Sequence, residues 1–109
     1  MKKQALTIFG LLMLGVNMPA LGAETIEISI KDHQFNPAEI TIPANTKVKL
    51  VVKNLDPTAE EFESHSMHRE KMIPGNNKAV IFIGPLDPGT YEFFGEFNPK
   101  TAKGRVIVK

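Results

Sequence analysis

The C-terminal sequence YEFFGEFNPKTAKGRVIV, residues 91–108, contains two β-type segments joined by a loop. The first segment carries aromatic residues and follows the turn-forming sequence Asp87-Pro88-Gly89, and the last is rich in β-branched residues. The residues between them are rich in Gly, Asn, Pro and Lys. Such a composition is typical of connections between strands. This stretch therefore predicts a strand, a loop and a closing strand.

Upstream segments show the same strand signals. Residues 25–31 and 39–42 alternate apolar and polar side chains with period two, residues 46–53 add β-branched residues to that alternation, and residues 79–83 form a short apolar run. Short strands at these intervals predict an all-β fold in which two sheets pack as a sandwich. We expect much of the core to come from Ile28, Ile30, Ile40, Leu50, Val52, Phe62, Phe82, Tyr91, Phe93, Val106 and Val108.

Residues 66–72 interrupt the strand pattern. Ser66 is a suitable N-cap, and Glu70 and Lys71 are helix formers. We therefore predict one short helical turn near 66–72. The two methionines of this segment are soft enough to bind copper, but filling gaps in a core is the more common role of Met.

The N-terminal sequence predicts a cleaved secretory signal peptide over residues 1–23. Lys2 and Lys3 form a basic start, residues 5–16 are mostly apolar, and small residues end the segment. A membrane anchor would need a longer apolar run of about 20 residues. We therefore expect a periplasmic protein that is not embedded in the membrane after cleavage. Residues 24–109 then form one small domain with room for a single core.

Composition excludes several classes of function. Without Lys2 and Lys3 the formal net charge changes from +1 to about −1, and neither sign forms a long block. Nucleic acid and anionic membranes are therefore not expected partners. The chain contains no Cys, so it has no thiolate to offer a metal. No nucleophile with a base is visible, and we do not expect an enzyme. Metal-dependent oxidation of ferrous iron is the activity left open, with the ion carrying the chemistry.

Four segments together resemble the cupredoxin family over nearly the whole mature chain. They are FNP at 35–37, ITIPAN at 40–45, residues 48–54 and residues 91–108. The resemblance implies a cupredoxin-like Greek-key β-sandwich. It also implies that the metal-binding end is formed by the loops that follow the strands ending near residues 54 and 94.

The family resemblance also indicates which copper ligands are missing. The copper loop of cupredoxins has the pattern Y-x-F-x-C, then a His and usually a Met. The corresponding places hold Gly95, Asn98 and, near the Met position, Ala102. A blue-copper site requires a thiolate together with two imidazoles. Electron transfer by a blue-copper centre is therefore excluded.

A narrower resemblance is carried by NLDPTAEEFESH at 54–65 together with FFGEF at 93–97. These sequences resemble the EfeO-type cupredoxin-like group of periplasmic proteins linked to bacterial iron uptake, which is poor in Cys at the blue site and rich in Glu. The resemblance implies a metal-binding accessory protein whose partners are inner-membrane iron transport components. The group usually has His at the place of Asn98.

The candidate metal site lies where the two loops would meet. Counting from Asn54 places Glu60, with Glu61 as the neighbouring choice, at the position of the family's first His ligand. The period of a strand puts Glu61, Glu63 and His65 on the opposite face, and Glu96 adjoins the missing Cys. The predicted metal ligands are therefore Glu60, Glu61, Glu63, His65 and Glu96. Carboxylates with imidazole suit iron, Mn, Zn or Cu(II), of which iron and Cu(II) are favoured.

Two other functions remain open. The acidic residues are also explained by a solvated face that recognises a basic partner, in which case the protein is a non-metal docking module for a transporter. A non-blue copper electron-transfer protein is the other alternative, because red-copper relatives use a Glu ligand, although they retain a Cys. Among the remaining histidines, His33 is expected to be a structural hydrogen-bond partner and His68 a surface residue.

Overall fold

The computed structural model describes residues 24–109, so the predicted signal peptide at 1–23 lies outside the described residues. Within residues 24–109, no helix is long and apolar enough to cross a membrane. The described part of the chain forms nine strands: β1 (Glu24–Lys31), β2 (Gln34–Asn36), β3 (Glu39–Ile42), β4 (Val48–Asn54), β5 (Glu60–Ser64), β6 (Arg69–Ile73), β7 (Lys78–Ile83), β8 (Gly89–Gly95) and β9 (Lys103–Val108).

The strands form two sheets. The four-stranded sheet has the order β2-β1-β4-β7, and the five-stranded sheet has the order β3-β9-β8-β5-β6. β1 pairs in parallel with β4 and β3 in parallel with β9, whereas the other pairs are antiparallel. Neighbouring strands in a sheet are often distant in sequence, as a Greek-key sandwich requires. The prediction of an all-β, cupredoxin-like sandwich is confirmed.

Alternating side chains fill the space between the sheets. Along β4, every second residue from Val48 to Asn54 is buried. The rings of Phe35, Phe62 and Phe93 pack together with centroid separations of 4.9, 5.0 and 6.1 Å, which are distances typical of favourable aromatic pairs. The buried apolar residues are Ile28, Ile30, Phe35, Ile40, Ile42, Val48, Leu50, Val52, Phe62, Met67, Ile73, Ile81, Ile83, Phe93, Ala102, Val106 and Val108.

Most of the predicted core residues are buried, but Phe82 is not. Its side chain is 44% exposed, and its neighbours Ile81 and Ile83 face the core instead. A continuous apolar run has no period that shows which side chains point inward, so the prediction chose the wrong face of β7. Tyr91 is only partly buried, and its hydroxyl donates a hydrogen bond to the backbone oxygen of Asp87.

The helical turn predicted near 66–72 is wrong. Residues 65–68 form a turn, and Arg69–Ile73 is strand β6, which pairs with β5 along its whole length. Helix propensities differ by only a few tenths of a kcal/mol per residue among ordinary side chains. The ladder of hydrogen bonds to β5 and the complete burial of Ile73 outweigh that preference.

The turn between β5 and β6 is closed by local hydrogen bonds. The backbone N–H of Met67 donates to Ser64 Oγ at 3.3 Å, and that of His68 donates to the His65 oxygen at 3.2 Å. Met67 is buried, which agrees with the expected packing role, whereas Met72 is half exposed. His68 is exposed, as expected.

Three loops, at 55–59, 74–77 and 96–102, meet at one end of the sandwich. Asn54, buried at the end of β4, joins two of them, because its Nδ2 donates to the backbone oxygen of Thr58 at 2.8 Å and to that of Pro74 at 3.3 Å. This polar contact fixes where β5 begins, and β5 carries most of the predicted site.

Asp56 anchors the neighbouring β1–β2 turn to the same end. Its carboxylate accepts hydrogen bonds from the backbone N–H groups of Asp32, at 2.8 Å, and His33, at 2.9 Å. The His33 N–H is the main reason that the pKa of Asp56 lies below its ordinary value of 3.8. His33 is therefore a structural hydrogen-bond partner of Asp56 at this turn.

Candidate functional site

Strand β5 divides the predicted ligands between two faces of the five-stranded sheet. Glu60 is buried on the inner face together with Phe62 and Ser64, whereas Glu61 and Glu63 are partly buried on the outer face. This division follows from the two-residue period of a strand, and it agrees with the faces that the sequence predicted. The five predicted ligands therefore do not form one cluster.

Glu60 lies inside the protein, where its carboxylate is held by protein donors. The side chain is only 2% exposed. Oε1 accepts hydrogen bonds from the backbone N–H groups of Glu61, at 2.9 Å, and Phe97, at 2.8 Å. Oε2 accepts one from Nδ2 of Asn98, at 2.9 Å. Each oxygen of the carboxylate therefore has a donor within the fold. Hydrogen bonds to a carboxylate are also stronger than those between neutral groups.

Gly95 and Ala102 form the apolar wall beside this carboxylate. A Cβ atom at Gly95 would lie 2.6 Å from Cδ of Glu60 and 2.7 Å from Cβ of Ala102. The loop between them is tight, because the Gly95 N–H donates to the Ala102 oxygen at 2.9 Å and the Ala102 N–H donates to the Asn98 oxygen at 2.8 Å. Ala102 is completely buried. The three places that the family resemblance assigned to missing copper ligands thus surround Glu60.

The outer face holds a different cluster, made of Glu61, Glu63 and Glu70. One carboxylate oxygen from each residue lies within 4.8 Å of the others. The β5–β6 register places Glu63 directly opposite Glu70, so the hairpin itself brings the three side chains together. We call these three residues the acidic cluster.

Glu70 was not among the predicted ligands, because residues 66–72 were predicted to form a helical turn. The available signal was the spacing around the turn. With residues 65–68 as a hairpin turn, Glu70 and Met72 fall on the same face as Glu61 and Glu63.

Electrostatics within the acidic cluster favour a bound proton or cation. The pKa of Glu61 is raised above its ordinary value of 4.5, first by a side-chain hydrogen bond with Glu70 and then by partial burial and the charges of Glu70, Glu63 and Glu96. Partial burial is the main cause of the raised pKa of Glu63, followed by the charges of Glu70 and Glu96. Like charges held this close disfavour full ionisation.

His65 and Glu96 lie at the margin of the acidic cluster. Nδ1 of His65 is 3.9 Å from Oε2 of Glu63, the imidazole is 80% exposed, and its ring centroid lies 5.4 Å from that of Phe94. Glu96 is placed beside β5 because its backbone N–H donates to the Glu61 oxygen at 2.9 Å. The charges of Glu96 and His65 both affect the pKa of Glu63. The carboxylate oxygens that lie within 4.8 Å of one another are those of Glu61, Glu63 and Glu70.

Comparison with known proteins places the chain in a family. Residues 4–108 match the family described as Cupredoxin-like domain. An uncharacterised protein of Rickettsia prowazekii is 47% identical over 83 residues, which are 76% of this chain and 66% of that protein. The match therefore spans slightly less than two thirds of the relative's length.

Solved copper proteins share the fold at low sequence identity. The metal-binding domain of the Cu(I)-exporting P-type ATPase CopA of Streptococcus pneumoniae, solved with Cu(I), has a TM-score of 0.73 and 21% identity, covering 82% of this chain and 88% of that domain. Auracyanin A, a blue copper protein of Chloroflexus aurantiacus, has a TM-score of 0.69 and 16% identity, covering 81% and 100%. Amicyanin of Paracoccus versutus has a TM-score of 0.62 and 19% identity, covering 82% and 85%.

The residues of this chain do not fit a blue-copper centre. Such a centre uses one thiolate and two imidazoles, whereas the chain has no Cys. The place that the resemblance assigned to the first His ligand, which we call the inner position, holds the carboxylate of Glu60. This carboxylate accepts three hydrogen bonds and lies beside Gly95 and Asn98. The chain nevertheless matches the family over residues 4–108 and has two packed sheets. The chain belongs to the family of cupredoxin-like domains.

Proposed function

We propose that this protein is a periplasmic metal-binding accessory protein of bacterial iron uptake, and that an iron or copper ion binds at the acidic cluster of Glu61, Glu63 and Glu70. The observation that carries the proposal is the convergence of one oxygen from each carboxylate within 4.8 Å. A carboxylate ligand usually lies about 2.0–2.2 Å from its ion, so small movements of these side chains would bring all three oxygens onto one ion.

The chemistry of the cluster suits a hard or intermediate cation. Carboxylate oxygens favour ions such as iron and Cu(II) over Cu(I), which prefers thiolate and thioether ligands. The raised pKa values of Glu61 and Glu63 reflect crowding of negative charge, and a bound cation would relieve that repulsion. His65 lies with Nδ1 3.9 Å from Oε2 of Glu63, and the backbone of Glu96 lies beside Glu61. In this proposal both side chains complete the coordination shell after a change of conformation.

The cellular part of the proposal is supported by sequence. Export to the periplasm is supported by the basic and apolar residues at 1–23, and a role in iron uptake by the resemblance of residues 54–65 and 93–97 to the EfeO-type group. The partners in this proposal are inner-membrane iron transport components, which would receive the ion. Oxidation of ferrous iron would be carried by the bound metal rather than by a side chain.

Calorimetry tests the binding site directly. Purified protein is titrated with Fe(II) under anaerobic conditions and, separately, with Fe(III), Cu(II) and Zn(II), and the titrations are repeated with the triple variant Glu61→Gln, Glu63→Gln, Glu70→Gln. The matched control is Glu27→Gln, because Glu27 is an exposed strand carboxylate on the other sheet. Binding that the control keeps and the triple variant loses supports the proposal.

A second candidate function explains the same acidic surface without a metal. Glu70 is exposed and Glu61 and Glu63 are partly exposed, so the acidic cluster is accessible to a basic protein surface. If no ion in the series binds, or if the triple variant binds as the natural protein does, the docking-module function becomes the better account.

A further inference from the structure

We infer that the Glu60 carboxylate replaces the copper ion of the family, as a permanent tie between strand β5 and the loop at 96–102. In this chain the inner position is a structural site built around an anion. The inference does not depend on the acidic cluster, because Glu60 points to the inner face of the sheet and the cluster lies on the outer face.

The polarity of the groups around Glu60 is the first reason. A metal ion needs lone pairs pointing toward it, but the groups that point at this position are the N–H donors of Glu61, Phe97 and Asn98. An N–H group has no lone pair to offer a cation. Three donors converge on the two oxygens of one carboxylate, so the position is arranged to hold negative charge.

The available space is the second reason. Gly95 has no side chain, and a Cβ there would lie 2.6 Å from the Glu60 carboxyl carbon and 2.7 Å from Cβ of Ala102. That approach is too close for a carboxylate that its hydrogen bonds hold in place. Gly95 therefore makes room for Glu60, Asn98 donates to it, and Ala102 packs beside it. The three residues that stand in place of the copper ligands are therefore all compatible with a buried carboxylate at Glu60.

The consequence is a loop that needs no metal for its order. Phe97 and Asn98 are held by Glu60, and the loop carries its own hydrogen bonds between Asn98 and Ala102. A chelator should therefore leave this end of the domain unchanged, and copper should not enter it.

The first test asks whether copper reaches the inner position. Purified protein carrying Glu61→Gln, Glu63→Gln and Glu70→Gln keeps Glu60 but lacks the acidic cluster. Cu(I) and Cu(II) are titrated into the ¹⁵N-labelled variant, and the NMR signals of the Phe97 N–H and the Asn98 side-chain amide are followed. We expect neither signal to shift or broaden. Loss or displacement of both signals at one equivalent of copper would overturn the inference.

The natural protein in the same titration separates the two proposals. Cu(II) at the acidic cluster would itself broaden nearby signals, because it is paramagnetic, so the natural protein is titrated with diamagnetic Zn(II) as well. Zn(II) that binds the natural protein without loss of the Phe97 and Asn98 signals supports both proposals. Absence of binding by every ion of the calorimetric series contradicts only the metal-binding function, because the contact between Glu60 and the loop is judged by the NMR signals alone.

The second test removes the tie. Glu60→Gln should lower the midpoint of urea denaturation and move the Phe97 N–H signal upfield, because a carboxamide presents an NH₂ group to one of the donors. Asn98→Ala removes a single donor, and should cause a smaller loss while preserving the Phe97 signal, so it serves if Glu60→Gln does not fold. Glu27→Gln is again the control. An unchanged midpoint and unchanged signals in both variants would show that Glu60 does not hold the loop.

Discussion

Oε1 of Glu60 accepts a hydrogen bond of 2.8 Å from the backbone N–H of Phe97, a residue 37 positions further along the chain. This contact joins the start of β5 to the loop that follows β8. It therefore connects the two segments that the family resemblance assigned to a metal-binding end, and protein groups alone make the contact. The acidic cluster on the opposite face of β5 is a separate feature.

Replacing Gly95 by Ala should destabilise the protein by about 1–3 kcal/mol, which is the usual cost of overpacking a filled site. The added methyl group would lie 2.6 Å from the Glu60 carboxyl carbon and 2.7 Å from the Ala102 methyl group. Urea denaturation measures the loss. Thr101→Ala, an exposed change in the same loop, should alter stability by no more than about 0.5 kcal/mol. Equal effects of the two changes would mean that the site is not tightly packed.

Truncating Phe93 to Ala should cost about 3–5 kcal/mol. The ring is 1% exposed, and its centroid lies 4.9 Å from that of Phe62 and 5.0 Å from that of Phe35, so its removal leaves a cavity between the sheets. Phe97→Ala is the matched control, because that ring is 49% exposed. Denaturation curves that place the two variants within 1 kcal/mol of each other would contradict this account of the core.

Stability should depend on pH through Glu61 and Glu63. Their pKa values are raised above 4.5 in the folded protein, so the folded state binds protons more tightly than the unfolded state. Their contribution to stability is therefore lost as the pH rises through the raised pKa values, and at neutral pH their ionised forms destabilise the fold. Glu61→Gln should raise the melting temperature at neutral pH.

The same variant should have almost no effect well below pH 4.5, where Glu61 is protonated in both the folded and unfolded states. Asp56 has the opposite linkage. Because its pKa is lowered from 3.8, it stabilises the fold above that pH and loses this contribution as the pH falls. Calorimetric melting across the acidic range checks both signs. If the difference in melting temperature between Glu61→Gln and the natural protein did not change with pH, repulsion among the charges of the acidic cluster would not explain it.

Metal affinity should depend on Glu61 and Glu70 in a non-additive way, because both carboxylates contact one ion. Each change to Gln should weaken binding by more than the 0.5 kcal/mol or so expected of a surface substitution, and the double variant should lose less than the two single losses combined. Calorimetric titration of the four proteins completes the cycle. Small and additive losses would favour a solvated acidic surface.

Binding should also weaken as the pH falls, because protons compete with the ion for Glu61, Glu63 and Glu70. Glu60→Gln should leave the affinity of the outer site nearly unchanged, since Glu60 faces the interior. Titrations at two pH values test the competition, and an affinity that is insensitive to pH would argue against carboxylate ligation.

Local sequence patterns predicted much of the fold. Strict alternation along Val48–Asn54 and Glu60–Ser64 predicted which side chains face the core, because a strand turns successive side chains to opposite faces. The unbroken apolar run at 79–83 carried no such period, and the face of Phe82 was predicted incorrectly. Residues 66–72 were predicted incorrectly for a related reason, since a weak local preference for helix yielded to pairing with β5.

By itself, the sequence determined that the protein has no thiolate for copper, because it contains no Cys, and that Glu60 faces away from Glu61 and Glu63. Only the tertiary structure decided which groups each carboxylate meets. Glu60 meets the Phe97 N–H and the Asn98 amide, and Glu61 meets Glu70. The two partners of Glu60 lie 37 and 38 positions further along the chain. The contacts of Glu60 depend on which distant loop packs against β5, and the two-residue period of a single strand does not show that.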